Sequence, residues 1–144
     1  EIPLYISQKK AAAYRSQMKE NTLLITADTI VWLDGRVYGK PHDLADAKAM
    51  LRALSGKTHT VITGVTLTSM QKQISFAVST EVDFAPLTDD EIDYYVDRYR
   101  PLDKAGAYGV QEWIGYIGVT GLHGSYYNVM GLPIQRLYTE LKKF

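Results

Sequence analysis

The sequence predicts a single α/β domain, in which strands rich in β-branched residues alternate with amphipathic helices. Two long stretches, residues 58–69 and 73–84, are rich in Val, Ile and Thr and are typical of an antiparallel strand pair. Helix signals precede and follow this pair, at Asp43 and at Thr88. The 144 residues, 46% of them hydrophobic, are enough to form one packed core.

The first third of the chain predicts a helix, a strand and a hairpin. Helix-favouring residues continue to about residue 19, and residues 23–27 form a short apolar run typical of a buried strand. Residues 29–33 and 36–38 flank the turn signal Asp34-Gly35, so we expect a β-hairpin there.

Two helices are predicted from their capping signals. Asp43 precedes apolar residues at helical spacing, and Gly56 stands just past the end of that pattern. Thr88 and Glu91 form a capping box that begins a second helix, which extends to about Arg98.

The last third of the chain combines a glycine-containing loop with shorter elements. Residues 99–112 are predicted to be a loop, and residues 113–119 a strand. A short helix is expected over residues 125–130. A closing helix begins at Pro133 and ends near Lys143.

Composition excludes several classes of function. Sixteen basic residues balance sixteen acidic ones, so there is no overall positive field to attract nucleic acid or an anionic membrane. Without cysteine there are no disulfides, thiolate metal sites or cysteine nucleophiles, which suits a cytoplasmic protein. No apolar run approaches the roughly 20 residues that span a bilayer. The chain starts without Met inside a predicted helix, and we expect upstream sequence to precede it.

Asp28 is the first candidate site residue. It follows the predicted strand 23–27, and ligand-facing groups of α/β sheets commonly lie at the carboxyl ends of strands. Its carboxylate could bind magnesium or serve as general base for an attacking water. The alternative is a structural aspartate that caps the following turn through Thr29.

Lysines near Asp28 are candidate phosphate ligands. Lys40 lies between Gly39 and Pro41, where it could be held as a point charge beside phosphate oxygens. Lys10 has the same potential on the opening helix, where its neighbour Lys9 faces another direction. A solvated lysine is the alternative for both.

The segment 103–111, Asp-Lys-Ala-Gly-Ala-Tyr-Gly-Val-Gln, is the most informative one. It fits a substrate loop in which Lys104 approaches phosphate and Gln111 hydrogen-bonds a base or phosphate edge. A structured turn with an internal balance of charge between Asp103 and Lys104 is the alternative. His42, His59 and His123 lack metal-ligand spacing, so we interpret the histidines as structural.

The chain resembles the Maf family, within the inosine triphosphatase-like superfamily. Five blocks of the sequence match in order across the whole chain: residues 27–31, 39–41, 54–65, 103–111 and 124–133. The resemblance implies one Maf-like domain over residues 1–144, with a long twisted mixed sheet flanked by helices and a nucleotide cleft between two lobes.

The resemblance also implies an activity. The family's catalytic, metal-binding aspartate falls on Asp28, its phosphate-contacting lysines on Lys10 and Lys40, and its loop glutamine on Gln111. The block 103–109 resembles the branch that hydrolyses dTTP and UTP to the monophosphate and pyrophosphate. A divalent metal, Mg²⁺ or Mn²⁺, and a homodimer follow from the same resemblance, with a nucleoside triphosphate as substrate and neither nucleic acid nor membrane as partner.

Two departures from the family pattern keep an alternative open. The opening Ser-x-Ser-Pro-Arg-Arg segment of the family, with its strand and helix, is absent from this sequence, and we expect its loss to impair activity. Glu112 stands where the family usually has glycine, and an extra carboxylate there could weaken phosphate binding or shift selectivity. The alternative is a catalytically impaired nucleotide-binding or protein-binding module linked to septum formation and cell division.

Overall fold

The computed structural model describes residues 2–144. The helices are α1 (Ile2–Tyr14), α2 (Leu44–Leu54), α3 (Asp89–Tyr99), α4 (Trp113–Gly118), α5 (Tyr126–Met130) and α6 (Ile134–Lys143). The strands are β1 (Leu24–Leu33), β2 (Arg36–Tyr38), β3 (Thr58–Thr68), β4 (Gln73–Phe84) and β5 (Val119–His123). Single turns of 3₁₀ helix lie at Arg15–Gln17 and Ala105–Ala107.

The five described strands form one sheet in the order β2-β1-β3-β4-β5. The α/β class with helices flanking the sheet is confirmed, but the pairings are all antiparallel, where a mixed sheet was expected. Short turns explain much of this difference, because Asp34-Gly35 joins β1 to β2 and residues 69–72 join β3 to β4. A connection that short reverses the chain direction.

Local turn and cap signals predicted several elements correctly. Asp34 and Gly35 both have positive φ, as the expected hairpin turn requires. Asp43 accepts a hydrogen bond from the Asp46 N–H at the start of α2. Thr88 and Glu91 form the reciprocal capping box of α3.

Other boundaries differ from the predictions. The prediction of a strand over residues 113–119 was wrong: α4 occupies most of it and β5 begins only at Val119. Ile114 and Gly118, four residues apart, are buried, whereas Tyr116 between them is exposed, which is a helical period. The opening helix ends at Tyr14 instead of continuing to about residue 19, and Pro133 caps α6 from just outside it.

Two hydrophobic clusters lie toward opposite ends of the long β3–β4 pair. The larger cluster joins the sheet to α2, α3 and the loop before α4, with fully buried Leu51, Leu54 and Tyr95. The smaller one joins Val65 and Leu67 of β3 to α6. Polar residues lie between the two clusters on the same strand face.

Helix α1 packs on the sheet through a very close contact. A Cβ atom added at Gly64 of β3 would overlap the backbone of Pro3 and Leu4. Ser7, fully buried, hydrogen-bonds the Thr66 hydroxyl at 2.7 Å, and the Thr26 hydroxyl donates to the Ser7 carbonyl at 2.6 Å. These contacts fix α1, and therefore Lys10, over the central strands.

Candidate functional site

Asp28 lies inside β1, paired with Gly64 of β3, so the prediction that it ends a strand was wrong. The strand continues because β3 supplies a partner for every residue from Leu24 to Trp32. Among the described residues, β2 covers the other side of β1 only from Val31 onward. In the described part of the chain, the edge of β1 at Asp28 has no partner strand.

Lys10 reaches this edge from α1. Its ammonium group donates to the Ala27 carbonyl at 2.8 Å and lies 3.7 Å from Asp28 Oδ1. Partial burial raises the pKa of the Asp28 carboxyl, while Lys10 and Lys40 lower it by a smaller amount. A carboxylate with a raised pKa is a better proton acceptor than an exposed aspartate.

A pocket of about 280 Å³ opens at Asp28 and collects the predicted site residues. Its walls come from α1, β1, the segment around Lys40, the loop 103–111, and the end of α5. All five candidates chosen from the sequence line it: Lys10, Asp28, Lys40, Lys104 and Gln111. Their roles remain predictions, but the placement gives three ammonium groups and two carboxylates, those of Asp28 and Asp103, around one cavity.

The loop 103–111 is a defined structure rather than an open connector. The Gly106 N–H donates to the Gly39 carbonyl at 3.1 Å, which ties the loop to the segment that bears Lys40. Gly106 has φ of +70°, and an added Cβ would lie 2.7 Å from Val31 Cγ2. Lys104 pairs with Asp103 at 3.2 Å, so the charge balance expected inside the loop is present together with its position at the pocket.

Sequence reasoning missed the polar link between the two hydrophobic clusters. The Thr29 hydroxyl, in the pocket wall, lies 2.8 Å from the Thr63 hydroxyl, which also donates to the Asn128 carbonyl. The buried Asn128 amide donates to carbonyls of both β3 and β4, at Val61 and Val78. This link places α5, whose last residues line the pocket. The only residue whose type indicated this link in the sequence was Ser125, which caps the start of α5.

A buried aromatic group supports the loop from behind. His59 is 1% exposed, and its Nε2 lies 2.6 Å from the Tyr108 hydroxyl. Burial lowers the pKa of His59 to about 4, against a smaller opposing effect of Asp83, so the imidazole is neutral at pH 7. The ring is therefore part of the core, which fits its interpretation as structural.

Glu112 faces Tyr95 instead of the pocket. The Tyr95 hydroxyl donates to Glu112 Oε1 at 2.5 Å and accepts a hydrogen bond from the Gly109 N–H at 3.0 Å. Burial, and next the Glu112 carboxylate, raise the pKa of Tyr95, so the phenol stays protonated. The effect of Glu112 on phosphate binding or selectivity stays a prediction, and in this structure its carboxylate is bonded to Tyr95.

The carboxylates of the pocket fit a metal ion that the protein and the substrate bind together, rather than one held by protein ligands alone. Among residues 2–144 there is no group of three or more His, Cys, Asp or Glu side chains that could hold a metal ion. Magnesium in nucleotide enzymes is typically bound by one or two carboxylates plus substrate phosphates and water. Asp28, in the wall of the pocket, fits that mode of binding.

No helix in the described part of the chain is long and apolar enough to cross a membrane.

Comparison with known proteins identifies the family of the chain. The family model described as Maf-like protein matches residues 1–144. A dTTP/UTP pyrophosphatase of Phocaeicola vulgatus is 68% identical over 143 residues, which are 99% of this chain and 74% of that protein. The dTTP/UTP pyrophosphatases of Bacteroides thetaiotaomicron and Flavobacterium psychrophilum are 64% and 49% identical, over 99% and 98% of the chain and 74% and 72% of their own lengths.

The match over the whole chain and these identities show that the chain belongs to the Maf family of proteins. The resemblance inferred from the five sequence blocks is thereby confirmed.

Proposed function

We propose that this protein is a nucleoside triphosphate pyrophosphatase that hydrolyses dTTP and UTP to the monophosphate and pyrophosphate. Relatives with 49–68% identity are named for that activity. The observation that supports it most directly is the pocket at the edge of β1, where one partly buried carboxylate, Asp28, lies among Lys10, Lys40 and Lys104. A triphosphate is the polyanion that such a set of charges would complement.

The ammonium groups have the simplest role in this reaction. Attack on the α-phosphorus and departure of pyrophosphate concentrate negative charge on phosphate oxygens. Lys10, held by the Ala27 carbonyl, and Lys40, held on the segment tied to Gly106, offer positive charge from two different walls of the cavity. Charges fixed in advance need little rearrangement as the reaction proceeds.

Asp28 is the proposed general base and metal ligand. Its raised pKa favours acceptance of a proton from the attacking water. A divalent cation, Mg²⁺ or Mn²⁺, would bind Asp28 together with phosphate oxygens and supply electrostatic stabilisation of the phosphates. Lys10 would also keep the carboxylate oriented, because it lies 3.7 Å from Oδ1.

The loop 103–111 is the proposed recognition element. Gln111 would hydrogen-bond a base or phosphate edge, and Lys104 would approach the phosphates. The proposal also includes selectivity for pyrimidine nucleotides, a homodimer and a cytoplasmic location. It includes a connection with septum formation in the parent family.

Release of pyrophosphate tests the proposal. The protein at its natural length should release pyrophosphate from dTTP and UTP in preference to CTP, GTP and ATP with Mg²⁺ present. Asp28→Asn should lower kcat by about 100-fold or more. Asp34→Asn is the matched control, since Asp34 lies in the exposed hairpin turn and should retain full activity.

Each outcome has a clear meaning. Pyrimidine-selective release that is lost only in Asp28→Asn supports both the activity and the role of that residue. A folded protein that releases no pyrophosphate from any of the five nucleotides contradicts the proposal. In that case tight binding of dTTP without turnover would favour the alternative of a nucleotide-binding module.

A further inference from the structure

Tyr95 has polar contacts that no catalytic role explains. It lies on α3, its side chain is fully buried in the larger hydrophobic cluster, and it does not line the pocket. Its hydroxyl nevertheless makes two hydrogen bonds at the end of the pocket loop, one from the Gly109 N–H within the loop and one to the carboxylate of Glu112 just after it. A buried hydroxyl with both its donor and its acceptor engaged fixes its partners in direction as well as in distance.

We propose that Tyr95 and Glu112 form a latch, meaning the hydrogen-bonded trio of Tyr95, Glu112 and Gly109, that holds the loop 103–111 in its substrate-binding form. The inference rests on the proposed function, since the loop bears Lys104 and Gln111. Both latch side chains are positioning residues, because neither of them lines the pocket.

Gly109 connects the latch to Lys104. A Cβ added at Gly109 would lie 2.7 Å from Lys104 Cε and 2.9 Å from Glu112 Oε1, so both side chains pass directly beside this glycine. The stem of Lys104 therefore rests against the residue whose N–H the latch fixes. A shift of Gly109 would displace the ammonium group of Lys104 in the pocket.

Glu112 connects the latch to Gln111 and α4. Its backbone N–H donates to the Gly109 carbonyl at 3.0 Å, and its own carbonyl accepts from the Gly115 N–H at 2.9 Å. The side chain and backbone of Glu112 thus close a turn around Gln111 and begin α4. This arrangement gives Glu112 a physical role away from the substrate.

Loss of the latch should affect substrate binding more than turnover. A loop that is ordered in only a fraction of the molecules reduces apparent affinity by that fraction, while the bound complex reacts as before. The kinetic result is a higher KM with kcat nearly unchanged. General destabilisation of the protein would instead lower the amount of active enzyme and leave KM as it was.

The experiment compares four variants of the protein at its natural length. Tyr95→Phe removes the hydroxyl, and Glu112→Leu removes the acceptor at similar size. We expect each to raise KM for dTTP by about tenfold with kcat within about twofold. Glu112→Gln keeps an acceptor oxygen and should restore KM to within about threefold of the parent. Tyr94→Phe, which alters a half-exposed tyrosine on the same helix, should match the parent.

Amide hydrogen exchange gives a second readout that needs no turnover. Exchange at Gly109 should accelerate at least tenfold in Tyr95→Phe and stay near the parent rate in Tyr94→Phe. The latch is contradicted if Gly109 exchange is unchanged, if KM in Tyr95→Phe stays within twofold, or if Glu112→Gln is as impaired as Glu112→Leu.

Failure of the latch and failure of the proposed function are distinguishable. If the parent releases no pyrophosphate, the proposed function is wrong, and the latch is then decided by Gly109 exchange together with calorimetric binding of the α,β-methylene analogue of dTTP. Weaker analogue binding in Tyr95→Phe would support the latch in that case. A parent that neither turns over nor binds the analogue would overturn both proposals.

Discussion

His59 and Tyr108 share a hydrogen bond of 2.6 Å between Nε2 and Oη inside the larger hydrophobic cluster. Burial lowers the pKa of His59 from 6.5 to about 4 in the folded protein. The unfolded chain therefore binds more protons between these values, and the free energy of unfolding rises with pH across that window. In other words, stability from this group is complete above pH 6.5 and is lost as the pH falls toward 4.

The first prediction concerns this pH dependence. A pKa difference of this size corresponds to about 3 kcal/mol of unfolding free energy between pH 4 and pH 7. Urea titrations over that range should show the slope in the parent, and His59→Gln should flatten it. His123→Gln, which changes an exposed histidine, should keep it. Equal slopes in the parent and His59→Gln would contradict the assignment.

The second prediction separates the contribution of Asp28 to protein stability from its proposed role in catalysis. Burial raises the pKa of Asp28 from 3.8, so its charged form at pH 7 is less favourable in the folded protein than in water. The contribution of Asp28 to the free energy of unfolding is therefore largest below pH 3.8 and is lost as the pH rises through the pKa of the folded protein. Asp28→Asn should thus have an equal or higher melting temperature at pH 7, measured by calorimetry. A clear decrease would show that the pair with Lys10 dominates.

A third prediction tests the direction in which α1 presents its lysines. Lys10→Ala removes the ammonium group at the Asp28 edge and should raise KM for dTTP by about tenfold, since hydrogen bonds to charged groups are strong. Lys9→Ala removes the neighbouring exposed charge, which does not line the pocket, and should leave KM unchanged. Steady-state kinetics of the two variants would contradict the assignment if both raised KM equally.

The fourth prediction concerns the conformation of the loop 103–111. Gly106 has a positive φ, and a Cβ added there would lie 2.7 Å from Val31 Cγ2. Gly106→Ala should therefore lower the free energy of unfolding by about 2 kcal/mol. Gly39→Ala is the control, because a Cβ there meets nothing within 4 Å and its φ is not positive. Urea unfolding measures the free energy of unfolding of both variants. A similar decrease in the two would contradict the expected strain at position 106.

Local rules predicted the parts of the fold that depend on neighbouring residues. The hairpin at Asp34-Gly35, the caps at Asp43 and Thr88, and the long β3–β4 pair each follow from residues a few positions apart. The strand prediction for residues 113–119 failed because nearly every residue there is apolar or glycine. A pattern without polar positions does not distinguish a period of 2 from one of 3.6.

The candidate site was predictable only in part. The sequence selected Asp28, Lys40 and the loop 103–111 by residue type, and the structure brings them to one pocket. The position of Asp28 inside a strand depends on Gly64, which lies 36 residues away, and no local signal reveals that pairing. The same is true of the contact between Thr63 and Asn128, and of the hydroxyl of Tyr95, because these groups meet only in the folded chain.

The small and polar face of α1 has a consequence for the dynamics of the site. The helix buries Pro3, Ser7 and Ala11, whereas Ile2 and Tyr5 remain largely exposed. Water can replace hydroxyl contacts such as those of Ser7 at a net cost near 1 kcal/mol each. We therefore expect the amides of α1 to open to exchange more often than those of β3, although the closed helix holds Lys10 over the central strands. A triphosphate bound by Lys10 would make this opening rarer, so ligand binding and the protection of α1 amides from exchange should rise together.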